Sequence, residues 1–463
     1  MRSRTLEWIA DAIDGEAVRP EGAPAGSIRS SGASIDSRRL TPGDLFFAIR
    51  AERDGHDFAE AAVEAGASAV VVARDATVPT HLPRIVVEDP RAALGLLAGR
   101  VRREEACDLP AVAVTGSVGK TTLCSALAHL CAPLGVVHHP RSSFNNDLGL
   151  PLTILSAPEA CSLLVLEIGT NSPGEIAALT PIAGAAVGVI AAIAPVHLEG
   201  LGDLDGVRRE KGALLQGLIP DAGGSPPTGW IPVGEADAIP EGGTRRRTFG
   251  PGGDSSISVG EDGLPRWRFR GEVHTVEGAP TAPHRLDSLA VALAVAAEWG
   301  LEPSTLLGRV PTIPQPRLRG EVLKVAGLEL ILDCYNASPA SMVAAIEELE
   351  REPAAGRRCC VLGTMEELGP AAEVYHRELG RRLADSTIDR VFVQGEGGAW
   401  IAEGMREAGA EAQAIPEGEA AAPTLALHLD AGDRILLKAS RSARLELLAD
   451  ALFEILAGGK ELA

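Results

Sequence analysis

Short aliphatic runs alternate with amphipathic stretches along most of this 463-residue chain. Runs of this kind are typical of buried parallel strands, and leucines at helical spacing between them indicate helices. The predicted strands are 45–49, 69–73, 84–87, 111–114, 162–168, 185–193, 328–333, 358–362, 390–393 and 435–439. The predicted helices are 58–67, 90–105, 286–299, 339–351, 375–384 and 443–456. Repeated strand–helix units predict an α/β fold.

Changes in composition and in the strand–helix pattern divide the chain into three domains. More than one domain is expected, because the chain is too long for a single hydrophobic core. We predict a small α/β domain at 1–89, a central domain with a doubly wound sheet at 90–316, and a Rossmann-like domain at 317–463. Within the central domain, the Gly-, Pro- and Arg-rich segment 220–283 predicts antiparallel hairpins or long loops. The proline-rich segment 311–316 is a predicted linker.

Composition narrows the functional classes. Aromatic residues make up only 3% of the chain, so the cores must be aliphatic. Asp and Glu number 63 against 43 Lys and Arg, a net charge of −20, which disfavours nucleic acids and anionic membranes as partners. Seven cysteines without a CxxC pair indicate reduced thiols rather than metal or disulfide sites. No signal peptide or run of 18 apolar residues is found, which predicts a cytoplasmic protein without membrane insertion.

A glycine-containing loop follows the aliphatic run 111–114 and precedes a helical pattern. Strand, loop, Lys-Thr and helix form the layout of a phosphate-binding loop, whose backbone N–H groups and lysine face the phosphates while a hydroxyl reaches Mg²⁺. The predicted nucleotide-binding residues here are Gly116, Ser117, Val118, Gly119, Lys120, Thr121 and Thr122.

Three further residues are candidates for the chemistry. Glu167 ends a predicted strand, where a carboxylate beside a phosphate-binding loop holds Mg²⁺, although a turn-capping acid would occupy the same position. His197 follows the strand that ends near 193, and its spacing alone suits a structural histidine equally well. Lys211 has, from spacing alone, the pattern of a solvated charge at the start of a helix.

The phosphate-binding loop is a variant, because Val114 stands where the common pattern has glycine and the extra glycine is Gly116. Further motifs occur in order along the chain: SIDSR (34–38), PGDLF (42–46), DGHDF (54–58), FNNDLGLPLT (144–153), EIGTNSPGEI (167–176), HLEGLG (197–202), KG (211–212), DCYNASP (333–339), VLGTMEELG (361–369) and KASR (438–441). With these motifs, the chain from about residue 34 to about residue 446 resembles the Mur ligase family, which has relatives among the folylpolyglutamate synthetases.

The resemblance implies an ATP-dependent amide ligase that works through an acyl phosphate. It implies D-alanyl-D-alanine and UDP-N-acetylmuramoyl-tripeptide as substrates, since the chain lacks the Asp-Asn-Pro-Arg motif of the preceding ligase of the pathway. It further implies two Mg²⁺ ions, one held by Thr121 and Glu167 and the other by His197 and a Lys211 carbamylated by CO₂. The catalytic residues would then be Lys120, His197 and Lys211.

The same resemblance implies the binding residues. Ser37 and Arg38 would grip the uridine-diphosphate part of the substrate in the first domain, and Asn145 and Asn146 its peptide end. The nucleotide would also meet the linker residue Arg319, or Arg317 in its place, and three residues of the closing third domain: Asp333, Tyr335 and Asn336. A monomer is expected.

The chain departs from the family's pattern at several positions. His284-Arg285 replaces His-Asn, Ser288 replaces a second Asn, and Thr364 and Ala439 replace Asp and Gly. Two alternatives stay open. One is another Mur-type or polyglutamate ligase with a different amino substrate, and the other is a non-catalytic P-loop nucleotide switch.

Overall fold

The computed structural model describes residues 1–140, 144–240 and 243–458. Within these residues, three sheets of five, nine and six strands succeed one another along the chain, and helices pack against them. The prediction of a three-domain α/β fold is confirmed. The predicted boundaries at 89/90 and 316/317 stay predictions.

The first sheet has the strand order β2-β7-β6-β5-β4, and only β2 is antiparallel to its neighbour. The strands of this region are β1 (Arg4–Thr5), β2 (Glu16–Val18), β3 (Arg29–Ser30), β4 (Gly32–Ser34), β5 (Asp44–Phe47), β6 (Ala69–Ala73) and β7 (Arg84–Val87). The helices are α1 (Leu6–Ala12), α2 (Ala59–Glu64) and α3 (Pro90–Glu104). Helix α3 starts at a proline after the Asp89 cap, and its buried leucines share one core with the second sheet.

The second sheet has the order β16-β15-β14-β13-β12-β11-β8-β10-β9. Its strands are β8 (Ala111–Thr115), β9 (Val136–His138), β10 (Cys161–Glu167), β11 (Val187–Ile190), β12 (Thr228–Pro232), β13 (Arg245–Phe249), β14 (Ser255–Val259), β15 (Pro265–Phe269) and β16 (Glu272–Thr275). Its helices are α4 (Lys120–Leu130), α5 (Gly149–Leu155), α6 (Glu175–Ala183), α7 (Leu198–Leu201), α8 (Leu204–Gln216), α9 (Pro283–Glu298) and α10 (Pro303–Leu307).

The segment 220–283 differs in part from its prediction as antiparallel hairpins or loops. Strands β14, β15 and β16 are antiparallel to one another, as predicted. Strands β12 and β13, however, extend the parallel part of the sheet beside β11. The buried side chains of Trp230 and Ile231 explain the difference, because β12 is covered like a central strand although Gly and Pro surround it in sequence.

The third sheet has the order β17-β18-β22-β19-β20-β21, with β17 antiparallel to β18 and the other pairs parallel. Its strands are β17 (Glu321–Val325), β18 (Leu328–Leu332), β19 (Arg358–Leu362), β20 (Arg390–Val393), β21 (Gln413–Ala414) and β22 (Arg434–Lys438). Its helices are α11 (Pro339–Arg351), α12 (Ala372–Ala384), α13 (Gly395–Glu407), α14 (Ala422–Ala426) and α15 (Leu445–Gly458). The pattern missed α13, whose glycines weaken a helical signal, and also β17.

Most side chains that fill these cores are aliphatic, as the composition predicted, although the second core also contains the buried aromatic residues Trp230, Phe249 and Trp267. All seven cysteines are free thiols, and burial raises the pKa of Cys131, Cys334 and Cys359 to about 12. Thiols with such pKa values are poor nucleophiles and metal ligands. Among the described residues, no helix is long and apolar enough to cross a membrane.

Candidate active site

The phosphate-binding loop connects the fully buried strand β8 to helix α4 at the centre of the second sheet. Gly116 has a φ of +147°, and a Cβ atom there would lie 3.0 Å from the Ala192 nitrogen. Gly119 begins the helix with a φ of +83°. Both positions therefore require glycine, whereas Val114 packs in the core, which explains why the variant loop tolerates valine there.

Ser117 fixes the shape of this loop. Its N–H donates to the Ala192 oxygen at 2.8 Å, and its hydroxyl donates to the Ala194 oxygen and accepts from the Ala194 N–H, each at 2.9 Å. The residue lies on the cavity wall, but these bonds already use its backbone donor. Its predicted contact with a nucleotide stays a prediction.

Lys120 stands at the start of α4, with its ammonium group folded back on the loop. Nζ donates to the Gly116 oxygen at 2.7 Å. Desolvation lowers the pKa of Lys120, and the charge of Glu167 opposes that shift. The helix N-terminus and this ammonium group together form a site for an anion.

Glu167 reaches the loop through strand register, since β10 pairs with β8 in parallel and places Glu167 opposite Val114. Its side chain is 1% exposed. One carboxylate oxygen accepts from Thr121 Oγ1 and the other from Asn145 Nδ2, both at 2.8 Å. A carboxylate beside a hydroxyl at the end of a phosphate-binding loop is the oxygen-rich arrangement that suits Mg²⁺.

The two neighbouring asparagines have different environments. Asn145 bonds Glu167 through its side chain, and its backbone oxygen accepts from the Gly169 N–H at 2.7 Å. Asn146 is exposed, and its side-chain oxygen accepts from the N–H groups of Leu148 and Gly149 at the start of α5. The contacts of Asn146 are those of a helix cap.

His197 and Glu367 bring the second and third domains together beside the loop. His197 Nδ1 lies 2.5 Å from Glu367 Oε2, an ion-pair contact that is off the line of a regular hydrogen bond. Both residues have left-handed backbones, with φ values of 53° and 61°. The contact with His197 holds the pKa of Glu367 below its usual range.

Lys211 is not the solvated charge that its spacing suggested. It lies on α8 and is completely buried, and its Nζ has no hydrogen-bond partner among the described residues. Burial lowers the pKa of Lys211 far below its usual range, and the nearby Lys120 lowers it further. Burial and a neighbouring positive charge therefore both disfavour the charged form of this amine.

A second anion-facing group comes from the linker and the third domain. The Arg319 guanidinium lies over the Tyr335 ring, 4.2 Å from its centroid. Lys438 Nζ, which is buried, donates to Asp333 Oδ2 at 2.5 Å and lies 3.4 Å from the Asn336 oxygen. Parallel pairing of β18 with β22 places Asp333 and Lys438 side by side at the ends of these two strands.

Arg285 joins the second and third domains. Its Nη1 donates to Glu348 Oε1 on α11 at 2.7 Å, and its Nη2 donates to Gln315 Oε1 in the linker at 2.6 Å. Nearby, Thr281 Oγ1 donates to Glu352 Oε1 at 2.5 Å. The long side chain of Arg285 thus makes a charged contact between the two domains.

These residues surround one cavity of about 670 Å³ between the second and third domains. The predicted site residues that line it are Ser117, Val118, Gly119, Lys120, Thr121, Thr122, Asn145, Glu167, His197, Arg319, Asp333, Tyr335 and Asn336. Sequence reasoning gave no role to Glu367, Lys438 or Glu348, which also line it. Glu367 lies within the motif VLGTMEELG and Lys438 begins the motif KASR, so their positions in these motifs could have indicated a functional role.

The other predicted residues lie outside that lining. Lys211 and Gly116 are buried, and Asn146 is exposed. Ser37 and Arg38 belong to the first domain, where the 82% exposed Arg38 side chain pairs with Asp36 through Nε and Nη2, each at 2.9 Å. This pair lowers the pKa of Asp36 to about 2.

No group of three or more His, Cys, Asp or Glu side chains suitable for a metal occurs in the part of the chain that the structure describes. An ion here would thus need ligands from hydroxyls, phosphates, water or a modified side chain. Mg²⁺ commonly binds in this way, with one or two carboxylates and substrate oxygens. The fold and the site define a three-domain α/β protein with a P-loop nucleotide site at a domain interface.

Comparison with known proteins agrees with this class. The models of the Mur ligase family catalytic domain, the Mur ligase middle domain and the Mur ligase glutamate ligase domain match residues 29–102, 114–223 and 318–441. The UDP-N-acetylmuramoyl-tripeptide–D-alanyl-D-alanine ligase of Bacillus subtilis is 32% identical over 465 residues, which cover 98% of this chain and 99% of that protein.

Two solved structures resemble the whole chain. MurF from Acinetobacter baumannii superposes with a TM-score of 0.84 at 26% identity, covering 98% of this chain and 99% of that one. MurF ligase from Thermotoga maritima in complex with ADP gives a TM-score of 0.77 at 27% identity, covering 93% and 99%. The chain belongs to the Mur ligase family.

Proposed function

We propose that this protein is an ATP-dependent ligase that forms an amide bond between UDP-N-acetylmuramoyl-tripeptide and D-alanyl-D-alanine, in the synthesis of peptidoglycan precursors. The proposal rests on the similarity of the chain, over its full length, to UDP-N-acetylmuramoyl-tripeptide–D-alanyl-D-alanine ligases. The cavity at the phosphate-binding loop adds the groups that such a reaction needs.

The chemistry requires two anions to meet. The terminal carboxylate of the peptide attacks the γ-phosphorus of ATP, and the bond to ADP breaks. The amino group of the dipeptide then attacks the acyl carbon, phosphate leaves with the bonding electron pair, and the amine proton passes to solvent or phosphate. Lys120 would reduce the repulsion between carboxylate and phosphate, and docking of the third domain would exclude water from the acyl phosphate.

Two Mg²⁺ ions would supply further charge neutralisation on the phosphates. Glu167 and Thr121 offer a carboxylate and a hydroxyl for the first. His197 and Lys211 would hold the second, with Lys211 as a carbamate. CO₂ adds to the uncharged form of an amine, which the burial of Lys211 favours, and its Nζ has no hydrogen-bond partner among the described residues.

The remaining assignments belong to the same proposal. Ser37 and Arg38 would contact the uridine diphosphate, because a guanidinium suits a pyrophosphate. Asn145 and Asn146 would contact the peptide end, and the nucleotide would meet Gly116, Arg319, Asp333, Tyr335 and Asn336. The working form would be a cytoplasmic monomer with domain boundaries near residues 89 and 316.

The test is phosphate release from ATP and Mg²⁺ with each substrate alone and with both, together with the mass of the product. We expect release only with both substrates and a product heavier by one dipeptide less water. Ligation of a single amino acid would indicate another ligase of the family, and release with neither substrate a simple ATPase. Lys120→Ala should abolish release, and removal of Mg²⁺ by chelation should do the same. Growth with ¹³CO₂ should add a carbamate signal that Lys211→Met lacks.

A further inference from the structure

The contact between His197 and Glu367 has features that the proposed reaction leaves unexplained. It joins two domains at the cavity wall, and both partners are non-glycine residues in the left-handed backbone region. Such backbones persist only where the surrounding structure imposes them, and they concentrate at functional sites.

The loop that carries Glu367 is fixed by bonds within the third domain. The Met365 N–H donates to His376 Nε2 at 2.8 Å, and His376 is itself buried. The Glu366 N–H donates to Ser440 Oγ at 2.9 Å, and the Ser440 N–H donates to the Thr364 oxygen at 2.9 Å. The carboxylate of Glu367 is therefore presented to the second domain by a rigid support.

The histidine is nearly buried on the other side of the contact. The His197 side chain is 16% exposed, and its Nδ1 is inaccessible, with Glu367 Oε2 beside it. A carboxylate next to one ring nitrogen selects the tautomer of the imidazole and leaves the other nitrogen as the one that can bind a metal. Partners of this kind orient most metal-binding histidines.

We propose that Glu367 is a positioning residue for His197, delivered by the third domain, so that docking of this domain completes the second ion site. The inference rests on the proposed role of His197 as a ligand. It gives the interdomain contact a purpose, since the second ion would bind tightly only when the third domain is docked.

The test compares Glu367→Gln, which keeps the size of the side chain, and Glu367→Asn, which suits the positive φ. Glu411→Gln removes an exposed carboxylate of the same domain and serves as the matched control. Mn²⁺ binding to the full chain with a non-hydrolysable ATP analogue is followed by electron paramagnetic resonance. We expect wild type to bind two ions, and both Glu367 variants to weaken one of them at least tenfold. The Glu411 variant should match wild type.

A second readout needs neither metal nor nucleotide. The ¹⁵N shifts of the His197 ring, assigned by their loss in His197→Gln, report the tautomer. Both Glu367 variants should change the relative populations of the two His197 tautomers. The proposal would be overturned if these variants bound both ions with wild-type affinity and changed only the compactness of the domains in X-ray scattering. Glu367 would then be a simple domain contact. If His197→Ala still binds both ions, the proposed ligand role of His197 fails instead.

Discussion

Replacing Thr121 by valine removes a hydroxyl from the phosphate-binding loop with almost no change of shape. The hydroxyl donates to Glu167, which is 1% exposed and accepts one other side-chain bond, from Asn145. A hydrogen bond to a charged group contributes about 1.5–3 kcal/mol. Because the buried carboxylate of Glu167 cannot turn to water, we expect the variant to lose stability within that range around β8 and β10.

The assay is hydrogen exchange by mass spectrometry on peptides that cover 161–170, without nucleotide. Hydrogen exchange measures local opening, whereas the domains of a multidomain chain generally do not unfold in one transition. The N–H of Ile168 donates to the Val114 oxygen and that of Gly169 to the Asn145 oxygen, so both report on this site. The expected loss corresponds to exchange about 10- to 150-fold faster.

The matched control is Thr180→Val. Thr180 is also completely buried, but its hydroxyl donates to a neutral acceptor, the Ile176 oxygen, at 2.7 Å. Loss of such a bond amounts to about 1 kcal/mol, or exchange about fivefold faster around α6. If Thr121→Val exchanges no faster at 161–170 than wild type does, Glu167 is not held by this hydroxyl and the geometry of the first ion site is wrong.

Three other predictions concern charges elsewhere in the chain. Arg38→Ala should raise the pKa of Asp36 from about 2 toward its ordinary value, measured by carboxyl NMR titration. The pair stabilises the fold above the ordinary pKa of Asp, and this stabilisation is lost as pH falls through about 2. An unchanged pKa of Asp36 in the variant would refute the prediction. Lys211→Met should make the ligand-free protein more stable at neutral pH, measured by hydrogen exchange on peptides that cover α8. Because the pKa of Lys211 is lowered in the native state, the unfolded chain takes up the proton at a higher pH than the native one does. Wild-type stability should therefore fall as pH decreases below the ordinary lysine pKa, by up to about 1.4 kcal/mol per unit, and an equal slope in the variant would contradict this. Arg285→Ala should weaken docking of the third domain by about 1 kcal/mol, seen in X-ray scattering as a larger share of undocked molecules. Glu348→Gln should have the same effect, and the double variant should show no larger effect than either single variant.

The phosphate-binding loop and most regular elements follow from the sequence because their causes are local. Buried parallel strands need aliphatic runs, and the loop needs glycine where Gly116 and Gly119 adopt positive φ. Strands 69–73, 84–87, 358–362 and 390–393 and helix 339–351 have the predicted bounds. Errors fell where tertiary packing outweighs local pattern, as in β12, whose burial makes a parallel strand of a Gly- and Pro-flanked segment.

The residues of the site likewise fall into those that the sequence predicted and those whose contacts only the structure revealed. The sequence by itself determined which residue types stand at the ends of strands, and with them Lys120, Thr121 and Glu167. Only the tertiary structure decided that Lys211 is buried, since its helix alone would leave a lysine in water. It also decided that Glu367 meets His197 and that Arg285 meets Glu348. These contacts join residues far apart in the chain, and their distances depend on how one domain packs on another, which no local pattern encodes.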